Sequence, residues 1–567
     1  MKTISTPQWE FKYIFRDDRM ASGFFNLISG LEEFAGYRCR LKEKQDYYDY
    51  YFDSSDLKLE SQAMVCRVRR YDHHQSYNLA IKRQALGPNR EVIYHQTEPI
   101  QLTNNEFLDL QQGRFPNHLN SLFRVLCGNK KLEHLVTLKI NRTILALQNN
   151  EENIAFLNLD HIKAMLPGSD QIQAVDFEVE LKSSKEFFPE ADMIGDYLRN
   201  AFGLIPVTRS KFRRLIRIIQ TGKETGTRKV ILDMDTGVDD ALAIMLAINS
   251  PEIEVLGITT VGGNVDVGQS ALNTLAVLEQ TAAKTGRYQK LPPVGKGLSL
   301  IEGKQDASNV HGPDGLGGVC RKYSGENDTK DFTDAADLFQ RIISENDSGT
   351  VTLITTGPLT NVGHWIETCP DIVAKLKGII TMGGVFFDAG NRSEAAEFNV
   401  HSDPSSARRV VEFCRKPVSA GGREWKETIP LTFVGLDVTH RVRFRRQMIQ
   451  QALKSDPQNQ MLTFIKEITG CYMDFYYRNE GLDGCYLHDP LAVAYFINPS
   501  LCQAEQYIVE IEDSGVFTSG MTVADYRPTR LFKDKMKEVT WVCYKVDAHR
   551  FEKFFLKRVL SVNPVAL

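Results

Sequence analysis

The sequence predicts a two-part α/β chain. Its C-terminal part reads as a mostly parallel open sheet flanked by helices, and its N-terminal part as an antiparallel β-tunnel of α+β type. Three observations carry this reading. From about residue 228 onward, short apolar strands alternate with helical patterns, the rhythm of βαβ units. Across residues 1–220, strands of alternating polar and apolar residues dominate. The polar, turn-rich stretch IQTGKETGTRKV at 219–230 separates the two styles. The expected organisation is residues 1–220, a linker at 221–228, and residues 229–567.

In the first part, strands are expected over 65–69, 77–82, 137–147 and 175–181. In the second, they are expected over 230–235, 255–261, 351–356, 378–384 and 431–438, with amphipathic helices such as 238–248 and 267–280 between them. No internal repeat or low-complexity tract interrupts either part.

Composition narrows the function classes. The 567 residues hold 68 Lys+Arg against 72 Asp+Glu, a net charge of −4, with 42% hydrophobic and 25% charged residues. That excludes a disordered chain, a collagen and a polytopic membrane protein, and argues against a protein that coats nucleic acid by bulk charge. The ten cysteines include no C-x-x-C pair, so reduced, mostly buried thiols are expected. The N-terminus shows no signal peptide pattern, and no apolar run reaches the roughly 18–20 residues of a membrane span. A cytoplasmic protein, bound to neither membrane nor nucleic acid, is the expectation.

The chemistry of the second part concentrates at strand ends, where open α/β sheets bind ligands. Asp233, Asp235, Asp239 and Asp240 fall within eight residues where a strand meets a helix at Gly237. Helix capping accounts for one or two of them; a hard cation accounts for the crowding. Asp233 precedes the turn and reads as a loop anchor. Thr355-Thr356-Gly357 ends another strand and offers main-chain carbonyls. His488 and Asp489 sit side by side before an apolar helix. Asn391, Glu397 and Asn399 are suited to sugar hydroxyls, which both donate and accept. The tyrosines of 471–477 offer either a surface for stacking a base or the core face of a helix, core being preferred.

DMDTGVDD, TTVGGN, HGPDGLGG, TTGPLTN, TMGG, NRSEAAEFN and LHDP occur in that order. Together they resemble the nucleoside hydrolases, the inosine–uridine-preferring and related N-ribohydrolases, over about residues 228–567. Thr236 departs from the family's usual proline. The resemblance implies calcium held by Asp235, Asp240, Asp489 and the carbonyl of Thr356, with Asp235 also taking a proton from an activated water. It implies that Asp239, Asn264, Glu397 and Asn399 grip the ribose, with Asn391 near its 5′-hydroxyl and Met382 packed beside it. His311 would line the base pocket, and His488 would protonate the leaving base. Family members are commonly oligomeric, so a homodimer is expected.

The first part carries charges spaced two apart on many strands: Glu10 and Lys12, Arg67 and Arg69, Lys82, Lys139 and Arg142, Asp160, Asp176, Glu178 and Glu180, and Lys211. Alternation places such pairs on one face, which suggests a polar barrel interior. This part is similar to the CYTH or triphosphate-tunnel superfamily over about 5–215. The resemblance implies a triphosphate or polyphosphate bound by Lys12, Arg67, Arg69, Lys82, Arg142 and Lys211. Magnesium or manganese would be held by Glu10, Asp160, Glu178 and Glu180. Gln8 stands where the family's E-x-E-x-K opening has its first glutamate, and an amide is a poorer metal ligand. A triphosphatase, an adenylate cyclase, a polyphosphate polymerase and a non-catalytic phosphate sensor therefore all remain open. The fusion suggests nucleotide salvage, one half handling phosphorylated compounds and the other cleaving the nucleoside.

Overall fold

The computed structural model describes residues 3–4, 9–15, 18–54, 59, 64–72, 76–86, 92–97, 99–114, 116–119, 131–202, 204–207, 211–212, 215, 227–285, 288, 290–300, 307–324, 332–415, 419–420, 423–424, 428–525 and 540–560. These residues form two compact units, one up to residue 215 and one from residue 227.

The N-terminal unit is built on one long antiparallel sheet. Its centre is four strands side by side: Tyr37–Asp53, Glu133–Asn149, Glu152–Met165 and Ile172–Ser183. Met64–Tyr71, Tyr77–Leu86 and Val92–Thr97 extend it on one side, and Trp9–Ile14 and Ile205–Val207 on the other. The sheet curls, because Trp9–Ile14 also lies against Val92–Thr97. One face is apolar and packs under the helices Asp18–Ser29 and Phe188–Phe202, through Phe24, Ile28, Leu157, Val179, Ile194 and Leu198. The alternate residues of the same strands carry the charges. Arg142 stands opposite Asp160, Asp160 opposite Glu178, and Glu180 opposite Lys12.

The C-terminal unit holds a ten-stranded sheet. Across it run Thr333–Asp334, Val294–Lys296, Ile253–Thr260, Arg228–Met234, Val351–Thr355, Gly378–Met382, Leu431–Val434, Thr540–Val546, Cys502–Ile511 and Thr522–Asp525. Every pairing is parallel until Cys502–Ile511, which turns antiparallel and begins an edge that the sequence reading did not anticipate. Alternation on Arg228–Met234 sends Val230, Leu232 and Met234 to one core and Ile231 to the other. Helices cover both faces, as a buried parallel sheet requires.

Two expectations need correction. Val238–Ile248 is not amphipathic; every residue in it is buried, because the apolar helix His488–Ile497 packs along it. A helix enclosed on all sides is hydrophobic all round. The strand expected over 431–438 stops at Val434, and Gly435 caps a short helix, Leu436–Thr439.

Among the described residues no helix is long and apolar enough to cross a membrane. The nine described cysteines are free, seven of them buried; Cys127 lies outside the described residues.

The second core is locked by Trp365, 1% exposed, stacked on Phe339 with ring centroids 4.2 Å apart and 8° between planes. Trp365→Ala should cost about 3–5 kcal/mol, seen as a lower guanidinium midpoint by circular dichroism. A loss under about 1 kcal/mol would mean that this layer repacks around the gap.

Candidate active site and a second charged cluster

The ends of the central strands of the C-terminal unit surround a cavity of about 500 Å³. Asp239, Asn264, His311, Thr356, Met382, Asn391, Glu397, Asn399, His488 and Asp489 all line it. These residues come from seven separate stretches of chain, and the sheet topology brings them to one place. Asp235 and Asp240 lie beneath the floor, fully buried.

The acids are held by short, specific contacts. Asp240 accepts from the Gly237 N–H at 2.9 Å, so it caps its own helix. It also accepts from Thr356 Oγ1 at 2.6 Å and Asn264 Nδ2 at 3.2 Å. Asp235 Oδ2 accepts from the Asn264 N–H at 2.7 Å. That approach requires glycine at 263, since a Cβ there would overlap the Asp235 carboxylate. Asp239 accepts from Tyr472 OH at 3.3 Å. Asp233 is engaged elsewhere, where Thr259 Oγ1 and Asn361 Nδ2 donate to it at 2.6 and 2.8 Å. It ties two neighbouring strands to the helix Thr360–Thr368. Thr236, where the family has proline, bonds Thr274 Oγ1 at 2.6 Å and is buried.

Carboxylate oxygens of Asp239, Asp240 and Asp489 lie within 4.8 Å of one another. Asp235 lies close enough to Asp240 for the two charges to repel. Burial, followed by repulsion from Asp240, pushes Asp239 up to about 7, and burial pushes Asp240 up to about 6. Asp235 and Asp489 are raised well above the carboxylate range for the same reasons. Asp235 Oδ1 and Asp239 Oδ1 are buried without a hydrogen-bond partner. Among the described residues no lysine or arginine bonds any of the four. Oxygen donors crowded together with unused lone pairs and no fixed counter-charge fit a hard divalent cation.

Around the sugar-sized part of the cavity, backbone fixes the side chains. Glu397 caps the helix Phe398–Ser402, accepting from the N–H groups of Asn399 and Val400, and also from Gly384. Asn399 Nδ2 donates to the carbonyls of Thr356 and Met382. Asn391 Oδ1 accepts from the Phe398 N–H at 2.9 Å.

The opposite end is aromatic. His311 Nδ1 accepts from the Val238 N–H at 3.2 Å, which leaves its proton on Nε2. Burial lowers its pKa to about 3, so it is neutral, and it stacks on Tyr472 at 4.8 Å. His488 Nε2 lies 3.2 Å from Tyr476 OH, and Nδ1 2.8 Å from Thr439 Oγ1. Burial, then the neighbouring His440 and His311, hold His488 well below its usual value. Tyr472 and Tyr476 are at once buried in the core and part of the cavity wall. Thr439 and His440 went unnoticed in the sequence. The first lies just beyond the end of the strand expected over 431–438.

In the N-terminal unit the structure pairs the charges internally. Arg142 grips Asp160 through Nε and Nη2, both at 2.6 Å, and reaches Glu180 at 2.7 Å. Arg69 makes a two-pronged bond to Asp49 at 2.7 Å, and Arg67 lies 3.7 Å from the same carboxylate. These guanidinium groups hold Asp49 at about 2 despite full burial. Asp49 was missed in the sequence because its strand is otherwise a run of tyrosines. Lys12 is buried and Lys82 half-buried. The side chain of Glu10, and Gln8 altogether, lie outside the described residues. Asp160, Glu178 and Glu180 do come together, within 4.8 Å. Lys211 Nζ sits among them, at 2.9, 2.5 and 2.5 Å. As arranged, this trio does not fit a divalent ion, because an ammonium already fills the space between its oxygens.

Parallel sheet, strand-end cavity, buried acids and polar sugar-sized walls define a hydrolase that works on a hydroxyl-rich ligand. The sequence model of the family described as inosine-uridine preferring nucleoside hydrolase matches residues 230–553. The chain belongs to that family and is an N-ribohydrolase. A CYTH domain model matches residues 28–193, so the N-terminal unit carries a CYTH domain. The inosine-uridine preferring nucleoside hydrolase of Leishmania major is 36% identical over 331 residues, 58% of this chain and 95% of that protein. The pyrimidine-specific ribonucleoside hydrolase RihA of Salmonella agona is 33% identical over 303 residues, 52% of this chain and 88% of that protein. Among solved structures, a plant nucleoside hydrolase superposes with a TM-score of 0.51 at 28% identity, covering 59% of this chain and 99% of that one.

The raised carboxylates give a pH-dependent cost. Without a cation, Asp239 and Asp240 keep protons up to about 7 and 6, whereas unfolded aspartates release theirs near 3.8. Between those values the folded state binds more protons, so stability falls as pH rises. In chelator, the melting temperature should drop from about pH 5 to about pH 8, and calcium should raise it by roughly 5 °C more at the higher pH. An equal calcium shift at both pH values would rule out the cluster as the cation's seat.

Proposed function

We propose that the C-terminal unit hydrolyses the N-glycosidic bond of ribonucleosides, releasing base and ribose, with calcium held by Asp235, Asp240, Asp489 and the carbonyl of Thr356. One observation carries this: a single cavity joins a cation-seeking carboxylate cluster, a wall of backbone-fixed Asn and Glu side chains, and an aromatic end. When bound, the ion supplies Lewis acidity that lowers the pKa of a water beside the sugar.

Asp235 is the base. Its Oδ1 has no other hydrogen bond, which leaves it free to accept the water's proton. Asp239, Asn264, Glu397 and Asn399 hold the ribose hydroxyls, Asn391 the 5′ end, and Met382 packs beside the ring. As the bond to the base stretches, the ribose gains oxocarbenium character. The carboxylates and amide oxygens already in place stabilise that charge without reorganising. The departing base meets His488, His311 and the two tyrosines. His488, kept neutral by burial, acts by hydrogen-bonding the base, with Tyr476 and Thr439 fixing its ring.

For the N-terminal unit we infer a site for triphosphate or polyphosphate on Lys12, Arg67, Arg69 and Lys82, with Arg142 and Lys211, whose donors are taken by the acids, adding positive charge behind them. Support comes from the CYTH match and from basic side chains gathered on the charged face of the curled sheet.

The test is ribose release from inosine, uridine, adenosine and guanosine, with calcium and with chelator. Asp235→Ala should lower kcat by about 10²–10⁴-fold on all of them. His488→Ala should be severe on natural nucleosides and mild on a riboside whose leaving group departs as a stable anion. Equal losses on both would deny His488 a role toward the base, and unchanged cleavage by Asp235→Ala would remove the mechanism.

A further inference from the structure

The acidic trio of the N-terminal unit has the spacing of a divalent-cation site and the contents of something else. Asp160, Glu178 and Glu180 come from two adjacent strands in register, Asp160 opposite Glu178, and all three are buried. Lys211 Nζ contacts one oxygen of each. An ammonium has three N–H donors and here meets three acceptors, so its hydrogen-bonding capacity is full. Arg142 takes Asp160 Oδ1, shares Oδ2, and takes Glu180 Oε2. Asn158 also donates to that last oxygen, at 3.3 Å. At least five of the six oxygens therefore accept from fixed donors. Magnesium needs oxygens at about 2.0–2.1 Å around an otherwise vacant centre, and the lysine nitrogen already stands in that centre.

We propose that Lys211 is a built-in cation which takes the place of a divalent metal, so that the N-terminal unit binds its polyphosphate ligand without one. This rests on the reading of that unit as a triphosphate or polyphosphate site. The physical logic is charge balance. Three buried carboxylates would repel a polyanion entering the same sheet face. Lys211 and Arg142 cancel most of that repulsion from within the protein. Arg67 remains available nearby, its Nε buried without a hydrogen-bond partner, to donate to an incoming phosphate.

Removing the lysine should turn metal independence into metal dependence. Of the two cations, Arg142 alone would then face three carboxylates, and a divalent ion could enter the vacated centre.

The experiment is calorimetric titration of the full chain with inorganic tripolyphosphate, in excess EDTA and in excess magnesium or manganese. The wild type should bind in EDTA with a Kd within about threefold of its value with magnesium. Lys211→Met should lose about tenfold or more in EDTA and regain affinity with manganese. Binding by the wild type only with metal would overturn the proposal while leaving the polyphosphate reading intact. Failure to bind under every condition would overturn that reading and the proposal with it. Wild-type affinity of Lys211→Met in EDTA would show that the lysine is not the substituting charge.

Discussion

Asp239, Asp240 and Asp489 are held out of water with carboxylate oxygens within 4.8 Å of one another, Asp235 is buried beside them, and the C-terminal unit is organised around keeping them there. Such a group cannot be fully ionised without a counter-charge, and among the described residues no lysine or arginine supplies one. It supplies partial charges instead. Asp239 and Asp240 lie in the first turn of Val238–Ile248, and Asp489 in the first turn of His488–Ile497. Both helix N-termini therefore point their positive ends at the cluster. The two helices pack on each other, so the position of one acid pair fixes the position of the third acid. The complete burial of both helices follows from the same demand: the cluster is only as rigid as the core behind it.

The N-terminal unit meets a nearly identical problem and answers it with side chains. Its three acids are paired with Lys211 and Arg142, with Lys182 3.6 Å from Glu180, and a fourth, Asp49, with Arg69. Breaking one partner of such a buried pair would leave an uncompensated charge. One cluster is thus unfinished until something positive arrives, and the other is complete. The comparison explains why similar carboxylate spacing does not imply similar chemistry. What matters is whether the oxygens have lone pairs left to give.

Much of this was legible in the sequence, and the limits have physical causes. Asp235, Asp240, His488 and Asp489 could be found because strand ends, glycine turns and adjacent acids are local patterns. The five inner strands could be found because buried parallel strands are continuous apolar runs. The amphipathic assignment of 238–248 failed because its enclosing partner lies some 250 residues away, at 488–497. Asp49 and Lys211 carry nothing in their immediate surroundings that says which charges they meet; strand register and tertiary folding decide that. The tyrosines of 471–477 resisted a choice between core and cavity because Tyr472 and Tyr476 belong to both.

The two ends of the cavity differ in how they are built, and that difference bears on selectivity. At one end, Glu397, Asn399 and Asn391 are pinned by main-chain N–H and C=O groups. Their positions follow from the backbone and tolerate little change. At the other end, His488, Tyr476, Tyr472 and Thr439 hold one another through side-chain contacts only. His311 is the exception, anchored by the Val238 N–H. Side-chain networks can be re-cut by one or two substitutions without moving the sheet. The amide-and-carboxylate end is therefore the part of the cavity with least freedom, and the aromatic end has room to diverge among relatives named for inosine and uridine or for pyrimidines. At the aromatic end of this cavity imidazoles and phenols predominate, so discrimination there would rest on shape, stacking and hydrogen-bond direction.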